Sequence, residues 1–313
     1  MAPAAAVEYE GSSSCYKRVC VMDAGGTLGS ALVHTLLQRG YFVHAAIHTQ
    51  DKMNSFIGDS KNLRVFQTDP LDYHSIVESL EGCYGLFYSF EPPTDQPSYD
   101  ESMAEMEVRA AHNVLEACAQ VDTIDKIVFT SSATACIWRD PSDSAASSSP
   151  DVDERNWSNV NFCKKFKLWH GLSKTLAEKT AWALAMDRGL SMVSINAGLL
   201  LSPDLTMTHP YLKGAAEMYQ VGVFVTVDLK FLVDSHICVF EDVSVYGRYL
   251  CFNHVINSNE DAVKLAKFLL PPDVSSLPPS LTVGESRLVP QRISNKKLNK
   301  LMVDFDSQTP MLS

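Results

Sequence analysis

The chain lacks any apolar run that approaches the roughly 20 residues a membrane-spanning helix needs. Its first residues lack a basic segment followed by an apolar stretch, which excludes a secretory signal of the usual kind. Two glutamates in the same region argue against a transit peptide. We therefore expect residues 1–17 to be a disordered tail of a cytoplasmic protein that has no membrane partner.

Basic residues and ordered cysteine patterns are also scarce. The 26 lysines and arginines are outnumbered by 37 aspartates and glutamates, which gives a formal net charge of −11 and disfavours nucleic-acid binding. The eight cysteines show no CxxC spacing and no Cys/His cluster, which predicts reduced thiols and no metal site. We expect the partner to be a small-molecule substrate and the protein to be a monomer or a weak dimer.

Strand-like and helix-like segments alternate from residue 18 onwards, which predicts a parallel sheet with helices on both of its faces. Helices are predicted over 27–40, 100–120 and roughly 161–187. The predicted strands cover residues 18–23, 41–47, 63–67, 85–90, 127–132 and 191–198. This order predicts an α/β fold, a doubly wound parallel sheet of the Rossmann type with a smaller C-terminal substrate lobe.

The domain boundaries follow from the same alternation of segments. Residues 18–200 and 227–251 are assigned to the dinucleotide-binding domain, and residues 201–226 and 252–313 to the substrate lobe. Ligands of such sheets bind beyond the carboxyl ends of the strands, so the candidate site residues are sought there.

The turn between the first predicted strand and helix reads VMDAGGTLGS (21–30), which is typical of a phosphate-binding turn. Two of its glycines lie three residues apart, a spacing that suits close approach to a pyrophosphate and close packing of helix on strand. Asp23 stands where the first glycine is expected, and it adds a negative charge near the phosphates. The alternative is that the glycines merely turn the chain. The predicted cofactor-binding residues of this turn are Gly25, Gly26, Thr27, Leu28 and Gly29.

Selection between NAD and NADP is normally made at the end of the second strand, where this chain has His48. An acidic residue there would accept hydrogen bonds from the ribose hydroxyls, and an arginine would hold a 2′-phosphate; His48 does neither firmly. Asp69 follows the third strand, where its carboxylate could accept a hydrogen bond from an adenine amino group. Its alternative role is to cap the following helix.

Longer matching stretches carry a family resemblance. They are VCVMDAGGTLGS, TDPLDY, GLFYSFEPP, NVLEACAQ, IVFTSSAT, SKTLAEKTAW, SINAGLLLSPD and YGRYLC. Over residues 18–305 the chain resembles the extended short-chain dehydrogenase/reductases of the plant cinnamoyl-CoA reductase and dihydroflavonol reductase branch, especially its divergent cinnamoyl-CoA reductase-like members. The resemblance implies an NADP(H)-linked oxidoreductase that reduces a carbonyl or acyl-CoA of phenylpropanoid-like substrates, with NAD(H) as the alternative cofactor.

The same resemblance implies a catalytic serine, tyrosine and lysine. The serine position falls on Ser132, with Ser131 beside it, and the lysine on Lys174. The tyrosine position falls on His170, in the segment LWHGLSK (168–174). Lys174 is also expected to hold the cofactor ribose.

Further contacts are implied around these three residues. The resemblance places cofactor contacts at His48 and Ala197, where the family usually has an arginine and a proline. Arg248 is the best retained of the basic residues that the family uses for CoA, so it is predicted to bind substrate. Tyr88 follows the fourth strand and is predicted to line the nicotinamide pocket, with core packing as its alternative role.

Residues 170 and 174 share one face of a helix, so His170 is expected to point into the same cleft as Lys174. An imidazolium has an ordinary pKa near 6.5, against about 10 for a tyrosine phenol, so it can act as a general acid. The lysine cation disfavours that charged form. Catalysis through His170 is therefore expected to be slow and to have an acid-shifted optimum.

Three functions are compatible with this sequence. The first is an NADP(H)-linked reductase of atypical or low activity. The second is a catalytically impaired nucleotide-binding or regulatory relative, which Asp23, His48 and His170 favour. The third is a non-redox acyl-transfer or lyase activity in which Ser132 and His170 form a nucleophile–base pair; the sequence shows neither a nucleophile elbow nor an orienting carboxylate for it.

Overall fold

A computed structural model describes residues 18–48, 61–90, 99–140, 151–270 and 288–308, and the predicted tail of residues 1–17 lies outside them. The described residues form a seven-stranded sheet in the order β3-β2-β1-β4-β5-β6-β9, with every neighbouring pair parallel. The strands of this sheet are β1 (Arg18–Met22), β2 (Phe42–Ile47), β3 (Leu63–Gln67), β4 (Gly85–Tyr88), β5 (Lys126–Ser132), β6 (Ser191–Ala197) and β9 (Gly247–Cys251). A second sheet of three strands, β10-β8-β7, consists of β7 (Leu199–Leu201), β8 (Val225–Asp228) and β10 (His254–Val255).

Helices connect the strands and cover both faces of the large sheet. They are α1 (Thr27–Gln38), α2 (Tyr73–Leu80), α3 (Glu101–Gln120), α4 (Thr134–Ile137), α5 (Val160–Lys165), α6 (Trp169–Arg188), α7 (Ala215–Val221), α8 (Leu229–Glu241), α9 (Asn259–Leu269) and α10 (Lys296–Gln308). A short 3₁₀ helix covers Pro210–Leu212. None of the helices in the described part of the chain is long and apolar enough to cross a membrane.

Two apolar cores lie on opposite faces of the large sheet. Helix α1 contributes Leu28, Leu32 and Leu36 to one core, where they meet apolar residues of α8 and α10. The spacing of these leucines places them on one side of the helix, as the sequence predicted. The other core is formed with α2, α3 and α6. The doubly wound α/β fold is therefore confirmed.

The topology also indicates where a ligand is expected to bind. Strand β1 pairs with β2 on one side and with β4 on the other, so the strand order reverses at β1. Crevices at such a reversal, beyond the carboxyl ends of the strands, are the usual ligand sites of open parallel sheets. The turn after β1 and the residues that follow β4 and β5 lie at this end.

The structure differs from the predicted elements in three places. The helix predicted over roughly 161–187 is interrupted between α5 and α6, where Lys167 has a φ of +54°. A positive φ cannot continue a right-handed helix, so α6 begins afresh at Trp169, one residue before His170. The sequence also did not predict β9 as a strand of the large sheet, or the three-stranded sheet.

The division into two domains stays a prediction. The small sheet takes its strands from both sides of the predicted boundaries, and a third apolar core lies beneath it. Helix α10, which falls in the segment assigned to the lobe, packs instead on the large-sheet side, with Leu298 and Met302 in the core beside α8. Its contacts group it with the dinucleotide-binding domain.

Candidate active site

The turn after β1 has the geometry that a phosphate group needs. The N–H of Gly26 donates to the carbonyl of Asp23 at 3.1 Å, and α1 begins at Thr27 with no side chain capping its N-terminus. The amides of the first helical turn, those of Thr27, Leu28 and Gly29, therefore lack intrahelical partners and point outward. A Cβ at Gly29 would lie 2.1 Å from the carbonyl oxygen of Asp23, so that position requires glycine.

Asp23 is the residue of this turn that departs from the expected pattern. Its φ of +66° lies in the left-handed region, which explains why a glycine is expected there. An L-residue in that region costs roughly 1–2 kcal/mol, and aspartate is among the residues that tolerate it best. The backbone of the turn thus fits a pyrophosphate, while the Asp23 carboxylate adds an opposing charge.

His48 and Asp69 meet at the carboxyl ends of β2 and β3. His48 Nδ1 lies 4.0 Å from Asp69 Oδ1, and both side chains are about half exposed, at 48% and 47%. Asp69 Oδ1 also accepts the N–H of Leu71 at 2.8 Å, so the aspartate orders the turn that follows β3. Their place beside the glycine turn agrees with the predicted contacts to the adenosine half of a dinucleotide, which stay predictions.

Ser132 and His170 are joined through Thr134. Thr134 Oγ1 lies 3.1 Å from Ser132 Oγ and 3.0 Å from His170 Nδ1. Ser132 ends β5, and Thr134 begins the short helix α4. The sequence singled out Ser132 and His170 but not Thr134, whose only signal was its place in TSSAT, two residues after the serine. The three side chains form a continuous hydrogen-bonded chain.

The structure also separates the two neighbouring serines. Ser131 Oγ donates to Glu178 Oε2 at 2.8 Å on the opposite side of β5, because successive side chains of a strand alternate in direction. Ser132 faces Thr134. The carbonyl of Ala197, at the end of β6, accepts the N–H of Ala133 at 2.7 Å and so fixes the strand end that carries Ser132.

His170 lies in a closed, aromatic environment and is only 9% exposed. Its ring contacts Tyr99, Tyr211 and His209, with ring centroids 5.6, 5.8 and 6.2 Å away. Burial, with added repulsion from Lys174 and His209, holds the pKa of His170 well below its ordinary value. Burial and the same lysine lower the pKa of His209 to about 4. Both imidazoles are therefore uncharged at neutral pH.

Lys174 is paired with a carboxylate that the sequence did not single out. Lys174 Nζ lies 2.6 Å from Glu107 Oε1 and 3.4 Å from the carbonyl oxygen of Phe90. Glu107, on α3, is 2% exposed and also accepts hydrogen bonds from the hydroxyls of Tyr99 and Ser173. The lysine thus stands one helical turn from His170, as predicted, but within an ion pair.

The prediction that Arg248 binds substrate is wrong. A guanidinium has five N–H donors, and in Arg248 all five directions are used inside the protein. Nε and Nη2 contact the carboxylate of Glu178, Nη1 donates to the carbonyls of Glu154 and Asn156, and Nη2 also contacts Cys136 Sγ. The guanidinium lies 3.6 Å from the ring centroid of Trp157. Arg248 is therefore a buried structural anchor.

Tyr88 does not line the cleft either. Its side chain is 1% exposed and packs against Phe129, with ring centroids 5.1 Å apart, in the core beneath α3. Alternation along β4 directs it toward that core. The alternative role of core packing is the one the structure supports.

The site therefore contains two groups of side chains at the carboxyl ends of β4 and β5. One is the chain Ser132–Thr134–His170, and the other is the pair Lys174–Glu107. Within the described residues, no group of three or more histidines, cysteines, aspartates or glutamates could hold a metal ion.

Comparisons with known proteins identify relatives over most of this chain. Residues 24–157 match the model of an NAD(P)H-binding family. The chain is similar to cinnamoyl-CoA reductase 1 of Petunia hybrida, with 34% identity, covering 92% of this chain and 87% of the relative. It is also similar to tetraketide alpha-pyrone reductase 1 of Arabidopsis thaliana, with 32% identity over 93% and 87% of the two chains. The crystal structure of vestitone reductase from alfalfa aligns over 91% of each chain, with 25% identity and a TM-score of 0.65.

The fold, the match to the NAD(P)H-binding family and the similar reductases define an NAD(P)H-dependent oxidoreductase. More narrowly, the chain belongs to the reductase family that includes the cinnamoyl-CoA reductases and the dihydroflavonol 4-reductases.

Proposed function

We propose that this protein is an NADPH-linked reductase of a carbonyl or acyl-CoA group on phenylpropanoid-like substrates, in which His170 takes the place of the catalytic tyrosine. The observation that carries the proposal is the hydrogen-bonded chain Ser132–Thr134–His170, one helical turn from Lys174. The names of the relatives, cinnamoyl-CoA reductase and tetraketide alpha-pyrone reductase, support the substrate class.

The cofactor would be held by residues whose geometry fits it. The first-turn amides of α1 would bind the pyrophosphate, His48 and Asp69 would contact the adenosine half, and Lys174 would donate to the nicotinamide ribose. When bound, the reduced nicotinamide supplies the hydride. All other steps belong to the side chains of the cleft.

A neutral His170 supplies the proton through its neighbours. With Nδ1 protonated, His170 would donate to Thr134 Oγ1, and Thr134 would donate to Ser132 Oγ. The Ser132 hydroxyl, which lies 3.4 Å from the carbonyl oxygen of Ala197, would turn to the substrate carbonyl. As the carbonyl carbon gains the hydride, its oxygen takes the proton of Ser132. Ser132 then regains a proton from Thr134, and Thr134 regains one from His170 Nδ1. His170 Nε2 takes up a proton from the solvent, so the imidazole stays neutral but becomes the other tautomer. Proton exchange with the solvent between turnovers then returns the proton to Nδ1.

This route differs from donation by an imidazolium. Because burial keeps His170 uncharged, the relay does not require an imidazolium. The rate of proton transfer should therefore not fall as the pH rises through 6.5, the ordinary pKa of histidine. Turnover is therefore expected at neutral and mildly alkaline pH, rather than only at acid pH.

The acyl-transfer alternative is disfavoured by the same geometry. Thr134 stands between Ser132 and His170, whereas a nucleophile–base pair needs the two side chains in direct contact. The nucleotide-binding alternative is favoured by the Asp23 carboxylate in the phosphate turn. It therefore remains the second candidate.

One experiment separates the three functions. Purified protein is titrated with NADPH and NADH by nicotinamide fluorescence, and then assayed with a cinnamoyl-CoA thioester, an aromatic aldehyde and a dihydroflavonol. The proposal expects saturable NADPH binding and oxidation of NADPH with at least one substrate class, both weakened in Lys174→Met. Binding without any oxidation of NADPH supports the nucleotide-binding alternative. Thioester cleavage without cofactor supports the acyl-transfer alternative.

A further inference from the structure

Glu107 is a buried carboxylate to which the proposed reaction assigns no role. It lies on the inner face of α3 between Met103 and Ala111, and it is 2% exposed. A charged residue almost never occupies such a position unless it is paired. Its partners come from two other segments of the site. Tyr99 Oη donates to Glu107 Oε2 at 2.6 Å, Ser173 donates to the same oxygen, and Lys174 Nζ lies 2.6 Å from Oε1.

The ion pair with Glu107 weakens the effect of the Lys174 charge on the pKa of the side chain at position 170. A lysine cation one turn away stabilises the ionised form of a phenol and so lowers its pKa. With the Glu107 carboxylate at 2.6 Å, part of the lysine charge is offset, so the field that reaches residue 170 is weaker than that of an unpaired lysine, although it still disfavours the protonated form of His170. A neutral imidazole needs no such field, because its proton exchange requires no anionic oxygen.

The other groups around residue 170 do not supply a compensating charge. Tyr99 and Tyr211 are phenols whose pKa values burial raises above the ordinary value, and His209 is uncharged at neutral pH. Thr134 is a neutral hydroxyl. Of the titratable groups recorded around the imidazole, Lys174 with its partner Glu107 is therefore the pair that sets the charge of this cleft.

We propose that Glu107 is a positioning residue matched to His170: it holds the Lys174 ammonium in place for the cofactor ribose and offsets part of its charge toward residue 170. The inference rests on the proposed function for the role of Lys174. It goes beyond that function because it names a coupling between residues 107 and 170. Restoring a tyrosine alone would then give the phenol less activation than an unpaired lysine provides.

A double-mutant cycle tests the coupling. The four proteins are the unsubstituted chain, His170→Tyr, Glu107→Gln and the double variant. Glutamine keeps an acceptor oxygen for Tyr99 and Ser173, while its NH2 group takes the place of the oxygen that faces Lys174, so the charge and the lysine contact are removed together. The ionisation of the introduced phenol is followed by ultraviolet difference titration, each His170→Tyr protein being read against its partner with histidine. This measurement requires no turnover, so it stands even if no substrate is found.

The proposal expects the introduced phenol to ionise at a pH about one unit lower in the double variant than in His170→Tyr alone, which corresponds to roughly tenfold in its acid dissociation constant. The matched control is Glu105→Gln, an exposed glutamate two residues away on the same helix, which should leave the titration unchanged. Equal titration with and without the Glu107→Gln change would overturn the proposal.

A second measurement covers the case in which the tyrosine variants do not fold. In the protein that retains His170, Glu107→Gln should weaken NADPH binding severalfold, because the lysine loses the contact that holds it beside the ribose. Glu105→Gln should bind NADPH as the unsubstituted chain does. Unchanged NADPH affinity in Glu107→Gln would contradict the positioning role.

Discussion

The buried ion pair between Arg248 and Glu178 yields a prediction that separates a structural from a substrate-binding role for the arginine. Glu178 is fully buried and accepts hydrogen bonds from Ser131, Ser194 and Asn196 as well as from Arg248. Replacing Glu178 by alanine would leave the guanidinium buried without its counter-charge. The loss should therefore appear in the stability of the fold.

The magnitude follows from the burial of both partners. Removing one partner of a buried, hydrogen-bonded ion pair costs about 3–5 kcal/mol. An unfolding entropy of about 2.1 cal/mol/K per residue amounts to about 0.66 kcal/mol/K for a chain of 313 residues. The Tm of Glu178→Ala should therefore fall by about 5–8 °C.

Differential scanning calorimetry of the cofactor-free protein measures this shift. The control is Glu260→Ala, the same substitution in an exposed ion pair with Lys264 on α9, which should leave the Tm unchanged. Arg248→Met should lower the Tm while leaving the KM for an acyl-CoA substrate unchanged. An unaltered Tm in Glu178→Ala, together with a raised KM in Arg248→Met, would refute the structural role.

Three further predictions concern the cofactor turn, the proton route and acid stability. Asp23→Gly should tighten NADPH binding by about 1 kcal/mol, or roughly fivefold, since it removes a negative charge beside the phosphates, whereas relief of the left-handed backbone should stabilise the fold; Asp23→Asn, which removes only the charge, should bind NADPH as tightly as Asp23→Gly in a fluorescence titration. Thr134→Val should lower kcat by about 10²-fold in the NADPH oxidation assay and leave NADPH affinity unchanged; an unaffected kcat would rule out the relay. His236 is buried and neutral, with a pKa lowered to about 4 by burial, and its Nε2 lies 2.8 Å from Thr130 Oγ1. The histidine side chain binds a proton near pH 6.5 in the unfolded chain but only near pH 4 in the folded chain, so the free energy of unfolding should fall by up to about 3 kcal/mol as the pH drops from 6.5 to 4. The fall should be smaller in His236→Gln, and urea unfolding at several pH values measures it.

The framework of this fold could be predicted because each element carries a local signal. The β-branched run of β1, the glycines after it and the leucine spacing of α1 each follow from the geometry of a few adjacent residues. The four-residue spacing of His170 and Lys174 likewise placed both on one helix face. Even the anomaly at Asp23 was visible, because the left-handed backbone that it adopts is a local requirement of the turn.

The roles that could not be predicted depend on contacts between distant segments. Glu107 and Lys174 meet only because α3 packs on α6, although a charged residue on the apolar face of α3 was a signal that a partner exists. Arg248 was misassigned because a sequence does not show how many donors of a guanidinium are already used. Thr134 carried no distinguishing pattern, since its importance arises only when α6 brings His170 to it.

The central claim is that this chain transfers a hydride while a neutral His170 supplies the proton. The most direct measurement is deuterium transfer from NADPH labelled at the reactive position of the nicotinamide, read by mass spectrometry of the product above pH 6.5, where an ordinary imidazole is uncharged. The account predicts a product that carries one deuterium, formed at a rate that His170→Phe greatly reduces. Bound cofactor with no deuterium in any product, or an undiminished rate in His170→Phe, would contradict it.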